Sequence, residues 1–356
     1  MSTRSAVQAE KSAVAGSDQP PRTEKCSWVL IGGTALGAAH AESGLPCQDT
    51  AAWWSGSPVG SGGIVAVAVV ADGAGSARLA DIGSQTAVNE VVHLAQCLAG
   101  ALEPADDKER QFLDLTAGAG SRMRREYAER LGADAGGEDE RSIPASPGRR
   151  RQPTEGPRGG GNAADPEPSE PVLASAPVSR RLTEGEAEAV LLMKSLFTGA
   201  RRALEAAART AGANLQDLAT TLMVAMVTTD AVVLAQVGDG VVAVRSTSGA
   251  ILGPVAPQRG EYANEATFIT AGEDVPDIAL ASFPSSEVDA FGLSSDGLRL
   301  LITSNSLEGT PHAPFFADVF TGVASGLSSE AIAQFLTKAQ DRTGDDKSLV
   351  VGVRVP

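Results

Sequence analysis

Residues 221–252 read TLMVAMVTTDAVVLAQVGDGVVAVRSTSGAIL. Four apolar runs, at 221–228, 231–237, 241–245 and 250–252, follow one another across short polar or Gly-containing turns. Turns that close together leave each strand only its neighbour to pair with, so the segment predicts antiparallel strands. Upstream, Thr183 and Glu186 have the spacing of a capping box. Behind them Leu192, Leu196, Ala200, Ala203, Leu204 and Ala207 form an apolar stripe, which predicts a long helix ending near Gly212. Downstream, strands are expected at 267–270 and 290–294, then a helix with Ile332, Phe335 and Leu336 on one face. Alternating Leu349, Val351, Val353 and Val355 complete the chain as a last strand.

Further towards the start, residues 28–31 and the IVAVAVVA run at 64–71 read as buried strands between Gly-rich segments. Val88, Val91, Val92, Ala95 and Leu98 recur at helical spacing, so 81–99 should be a helix that Gly100 terminates. A second helix is expected around 110–130. Strands and helices in long segregated runs make an α+β fold of two packed antiparallel sheets with helices outside, not an alternating parallel fold.

Two stretches fall outside this pattern. Residues 1–25 read as a loose polar leader, and 133–181 as a disordered insertion rich in Gly and Pro, without an aromatic residue and with few aliphatic anchors. The remainder, 26–356, reads as one domain interrupted by that insertion. The 356 residues can bury a real core, but with only 4% aromatic residues it must be built from Val, Leu, Ile and Ala. Lys and Arg total 29 against 44 Asp and Glu, a formal charge of −15, which would repel a phosphate backbone and argues against nucleic acid as a partner. Three scattered cysteines suit neither a disulfide framework nor a thiolate zinc site and fit a reducing cytosol. The longest apolar run is far short of a membrane span, so a cytoplasmic protein without a membrane partner is expected.

Chemistry is suggested by four aspartates at the ends of expected strands: Asp72, Asp239, Asp296 and Asp345. Pairing neighbouring strands gathers their ends, so these acids can converge, and a hard divalent cation such as Mg2+ or Mn2+ relieves their repulsion. Gly73, Gly240 and Gly297 follow the first three and let the backbone turn sharply. Asp-Gly is also a common hairpin turn, yet DGAGSARLADIGSQTA and SDGLRLLITSNS do not continue as hairpin strands. A nucleophile elbow around Ser76 fails because Ala74 and Arg78 stand where glycines are needed, and GGTALG at 32–37 lacks the Lys of a phosphate loop.

The segments QDTAAWW, VADGAGSARLADIGSQTA, TTLMVAMVTTDAVVLAQVGDG, GEYANEATFIT, LSSDGL and GDDKSLVVGV resemble, in order, the motifs of the metal-dependent protein phosphatases of the 2C type. The bacterial branch, with Gln-Asp and DGxGS, is the better match. The resemblance implies an α/β/β/α four-layer sandwich and hydrolysis of phosphoserine and phosphothreonine on proteins by a hydroxide bridging two Mn2+ or Mg2+ ions. The implied partner is the phosphorylated product of a serine/threonine kinase. Asp72 is similar to the acid bridging both metals, with the Gly73 carbonyl as a further ligand. Asp296 and Asp345 resemble the other ligands of the first metal, Asp239 the acid associated with a third, weaker one, and Asp49 the acid that holds waters on the second.

Three positions depart from the family pattern. Gln48 stands where an acid often precedes Asp49 and is a neutral ligand at best; Gly44 replaces an Arg that grips phosphate; Ala74 replaces a His that protonates the leaving group. His40 is near enough to take the phosphate-binding or catalytic role, or is simply a polar loop residue. Asp346, in the place of the family's usual Asn, reads as a group behind the ligands. His93, expected exposed on its helix, and His312, in a TPHAPFF loop, are given no role, and Trp53 and Trp54 are expected to pack in a strand. Gln48 and the missing Arg keep a rival open, a noncatalytic phosphoprotein-binding module with a weakened second metal site. An acidic protein that binds metal only for structure is a third reading.

Overall fold

The computed structural model describes residues 27–57, 63–117, 180–258, 267–305, 309–339 and 343–356. The leader at 1–25, the insertion at 133–181 up to residue 179, and the later part of the helix expected at 110–130 lie outside the described residues. Strand β1 (Ser27–Ala35) leads through a short helix α1 (Ala38–Ser43) to β2 (Asp49–Ser55), β3 (Ile64–Asp72) and helix α2 (Ala80–Leu98). Residues 107–117 form a further helix, α3. Then come α4 (Glu184–Ala211), β4 (Leu222–Thr228), β5 (Ala231–Val237), β6 (Val241–Ser246), β7 (Ile251–Leu252), β8 (Ala279–Pro284) and β9 (Val288–Ser294). The one-turn helix α5 (Arg299–Ile302), the small ribbon β10 (Thr303–Asn305) and β11 (Thr310–Pro311), helices α6 (Ala313–Ala324) and α7 (Ser329–Lys338), and β12 (Lys347–Val355) complete the chain.

The strands form two five-stranded antiparallel sheets, β1-β12-β9-β6-β7 and β2-β3-β4-β5-β8. Their inner faces meet in one core, where Ala66, Ala68 and Val70 of β3 and Val232 and Leu234 of β5 pack with Leu293 and Val350 of the opposite sheet. The alternate residues of the same strands, Val67, Val69, Val233 and Ala235, face outward onto α2 and α4. On the far side Val241, Ala290 and Val351 meet Phe316 and Phe320 of α6 and Ile332 and Leu336 of α7. These strands are buried on both faces, which is why they read as unbroken apolar runs. The result is the expected α/β/β/α sandwich. Trp53 packs towards the inner core and Trp54 towards the helices, as strand residues do.

Local signals account for the helix ends. Thr183 caps α4 in a reciprocal box with Glu186, and Gly212 ends it in the left-handed conformation. The segment at 221–252 folds as expected in its strands but not in its continuity. β5 pairs with β4, whereas β6 pairs with β9 of the other sheet, so the chain changes sheets at Gly238–Asp239–Gly240. Gly238 has φ 127°, and a Cβ there would lie 2.6 Å from Thr221, so only glycine fits the crossing.

Two expectations fail. Residues 267–270 are not a strand, because Ile269 is buried in a turn that donates to Thr220 O, and the edge position beside β5 belongs to β8. The TPHAPFF stretch is not all loop: His312 is the residue before α6, and Pro lies in that helix's first turn, where its missing N–H costs nothing. Among the described residues no helix is long and apolar enough to cross a membrane.

Candidate metal centre

Five strand ends meet at one edge of the sandwich. Asp49 begins β2 and Asp72 ends β3, and the two are cross-strand partners. Asp239 sits in the crossing between sheets, Asp296 follows β9 by two residues, and Asp345 precedes β12 by two residues. Asp72, Asp239, Asp296 and Asp345 line one cleft of about 330 Å3, together with the backbone at Gly73 and the side chains of His40 and Phe268. The acids separated along the chain are thus brought together, from both sheets.

Each is held by its surroundings. The Asp72 backbone donates to Thr221 Oγ1 at 3.0 Å and accepts from Thr221 N at 2.8 Å, which locks the end of β3 to the start of β4. Asp296 is followed by Gly297, where any side chain would collide with the Asp346 carbonyl. Asp239 is paired with Arg299, whose Nη1 lies 3.2 Å from its Oδ2 and whose Nη2 donates to its carbonyl at 2.6 Å.

Gln48 and Asp49 do not line the cleft but lie buried behind it. Ser295 donates to Asp49 Oδ2 at 2.6 Å and accepts from Ser348 N at 2.9 Å. Asp49 Oδ1 and Gln48 Oε1 have no hydrogen-bond partner although both are buried. Asp346 is buried too, and its oxygens accept from Gly37 N and Gln48 N, both at 2.6 Å, while His40 Nδ1 lies 2.9 Å from Oδ2. One carboxylate therefore ties α1, the Gln48–Asp49 turn and the start of β12 together, and holds His40 at the cleft.

Burial and mutual repulsion disfavour ionisation here. Asp72 is pushed well above the usual carboxylate range by burial first, then by the charges of Asp49, Asp296, Asp345 and Asp239. Burial lifts Asp49 to about 7 despite its serine donors. Asp296 rises to about 6 through burial and the charges of Asp239 and Asp345, with Arg299 and a hydrogen bond from Asp72 drawing it back. Asp346 goes the other way: burial would raise it, but the N–H groups of Gly37 and Gln48 and the His40 ring hold it low.

These features fit a hard cation. Oxygen donors converge, the acids outnumber the nearby cations Arg299 and Lys347, whose Nζ donates to the Asp345 carbonyl at 3.3 Å, and two buried oxygens lack a donor, which protein groups rarely tolerate. Sequence reading found the four cleft acids, Asp49 and His40. It missed Ser295, although that residue directly precedes Asp296 in the LSSDGL motif. It also missed Arg299 and Phe268, which carry no local signal.

A family model described as protein phosphatase 2C matches residues 36–145 and 170–337. Serine/threonine-protein phosphatase 3 of Escherichia coli (strain K12) is 34% identical over 175 residues, 46% of this chain and 66% of that protein. The match thus spans just under two thirds of the relative's own length. Among solved structures, the S. agalactiae serine/threonine phosphatase superposes with a TM-score of 0.50 at 14% identity, over 92% of this chain and 99% of its own, and shares the fold. The catalytic domain of the phosphatase PstP, solved in complex with 2 manganese ions, is more distant at TM-score 0.45 and 14% identity, covering 93% of this chain and 100% of its own.

Proposed function

The chain belongs to the protein phosphatase 2C family, and from that premise we propose that it hydrolyses phosphoserine and phosphothreonine on proteins with two divalent cations, Mn2+ or Mg2+. The observation that carries this is the convergence of Asp72, Asp239, Asp296 and Asp345 in one cleft, with Asp49 and its unpartnered Oδ1 behind them. Asp72 would serve both cations, aided by the Gly73 carbonyl. Asp296 and Asp345 would complete the first site, and Asp49 with Gln48 Oε1 would serve the second. Asp239 would serve a third cation, which must compete with Arg299 and is therefore the weakest. Two such cations, when bound, acidify a water and neutralise phosphoryl oxygens during an in-line displacement.

The protein's own groups position the reactants. Ser295 orients the Asp49 carboxylate, leaving its other oxygen free to accept. Asp346 holds His40 at the cleft through Nδ1, where the ring can meet a substrate phosphate, the duty that the family resemblance gives to an Arg at the Gly44 position. Phe268 supplies an apolar wall at the cleft. The substrate on this reading is a protein phosphorylated by a serine/threonine kinase. We place the enzyme in the reducing cytoplasm, which fits its unbridged Cys47 and Cys97.

Phosphate release from a phosphothreonine peptide is the test. The wild-type chain should require Mn2+ or Mg2+, and Asp72→Asn, which keeps the volume and removes the shared charge, should lower turnover by about 100-fold or more. Turnover without a cation, unchanged turnover in Asp72→Asn, or peptide binding without hydrolysis would each contradict the proposal.

A further inference from the structure

The expectation that His93 is merely an exposed helix residue does not hold. Its side chain is 31% exposed and lies between α2 and the start of α3, with Nε2 2.7 Å from Glu109 Oε1. Cys97, one turn later on the same face of α2, places Sγ 3.7 Å from that same Nε2. A nitrogen, a thiol and a carboxylate oxygen thus converge, all within 4.8 Å of one another. Glu109 is aimed by its local frame: its backbone donates to Asp106 Oδ1 at 2.8 Å at the helix start, and its other oxygen accepts from Ala105 N. The cluster is remote from the cleft. His93 is thirteen residues along α2 from Ala80, which abuts Gly73, or roughly 20 Å at helical rise.

The surrounding charge is one-sided. Burial pushes the Cys97 thiol up to about 11, and the charges of Glu109, Glu90 and Glu103 add to that. Glu90 is itself raised by burial and by Glu109. Arg110 is a neighbouring cation, but it pairs with Glu103 at 3.8 Å, at the exposed rim. A hydrogen bond between His93 and Glu109 accounts for one proton at the point of convergence and leaves the thiol with only a weak contact. Imidazole, thiolate and carboxylate together form the donor set of a borderline-soft cation, unlike the all-oxygen set of the cleft.

We propose that His93 Nε2, Cys97 Sγ and Glu109 Oε1 bind a divalent cation of the Zn2+ class, with water as fourth ligand, which clamps α3 to α2. The 3.7 Å between Nε2 and Sγ already matches the edge of a zinc tetrahedron. The 2.7 Å between Nε2 and Oε1 has to open by about 0.7 Å as the ion takes the place between them. Binding forms Zn–N, Zn–S and Zn–O bonds, releases the thiol proton to solvent, and leaves His93 as a neutral imidazole that keeps its one proton on Nδ1 while Nε2 takes the ion.

Co2+ is the probe, because a thiolate ligand gives it a near-ultraviolet charge-transfer band that carboxylate sites do not produce. One equivalent added to the protein with its cleft first saturated by Mn2+ should produce the band in wild type, in Cys47→Ser and in Asp72→Asn. The band should be absent in Cys97→Ser and need more than about tenfold higher Co2+ in Glu109→Gln, which keeps the thiol and checks for a folding defect. Zn2+ should bleach it and excess Mn2+ should not. Absence of the band in wild type, its survival in Cys97→Ser, or its loss in Cys47→Ser would overturn the proposal. The cleft carboxylates play no part in the signal, so either reading can fail without the other.

Discussion

Asp49 and Asp72 face each other at the ends of paired strands, and without a counter-ion they cannot both carry charge cheaply. Their raised folded-state values fix a sign. Between the ordinary carboxylate value of 3.8 and about 7 for Asp49, the folded chain holds protons that the unfolded chain has released. Stability of the metal-free protein should therefore fall as pH rises through that window. Saturating Mn2+ should reverse the trend, because the cation binds the deprotonated acids. Thermal melts across pH 4.5 to 7.5 (chosen to span about the range over which such carboxylates titrate) check this, and identical profiles with and without Mn2+ would contradict it. Asp346 offers a second residue-scale prediction. Replacing it by Ala strands the Gly37 and Gln48 N–H groups and frees His40, which should cost about 2 kcal/mol in denaturant unfolding and raise KM for phosphopeptide more than it lowers kcat. At this scale the cleft acids were legible because each sits at a strand end in an Asp-Gly or Asp-Asp step. Of the groups that hold them, Asp346 and His40 could be singled out, but their contact across 306 positions could not, nor could Ser295, which reaches Asp49 across 246.

Among the elements, those with an internal signal were readable: the capped helix α4, the both-faces-buried strands β3 to β6, and the alternating β12. Edge strand β8, with Ala, Ser and Pro in its six residues, offers little apolar contrast, and Pro314 in the first turn of α6 reads equally well as a loop signal. The buried Ile269 looked like strand because burial and β-branching do not distinguish a strand from a clamped turn. What clamps it is Arg201 of α4, 5% exposed, whose guanidinium donates to the carbonyls of Ile269, Ala271, Gly272, Glu273 and Asp274. That turn follows Phe268 at the cleft, so α4 sets the cleft wall. Arg201→Met should cost about 3 kcal/mol, by analogy with breaking other buried charged contacts, and should speed amide exchange around 269–274. Unchanged exchange there would mean that the turn is held by other contacts.

At the scale of the whole molecule, strands from before and after residues 118–179 share one sheet, since β3 pairs with β4. The sandwich closes across that stretch. Removing 133–179 while keeping Arg180, which pairs with Glu186 in the cap of α4, should leave melting temperature and phosphopeptide turnover nearly unchanged. A large drop in either would make the stretch a packed part of the fold. The two-sheet architecture was legible from segregated strand and helix runs, but the sheet change at Gly238–Gly240 was not, because a turn sequence does not say which sheet the next strand joins. That crossing is also what carries Asp239 to the same edge as the other acids.

Caging of hard cations at this edge of the sandwich is tested most directly by equilibrium dialysis of the chain against Mn2+. Two tightly held ions per wild-type chain are expected, following from two metal sites that share one carboxylate, and loss of both in Asp72→Asn. No retained Mn2+, or equal retention in the variant, would contradict it.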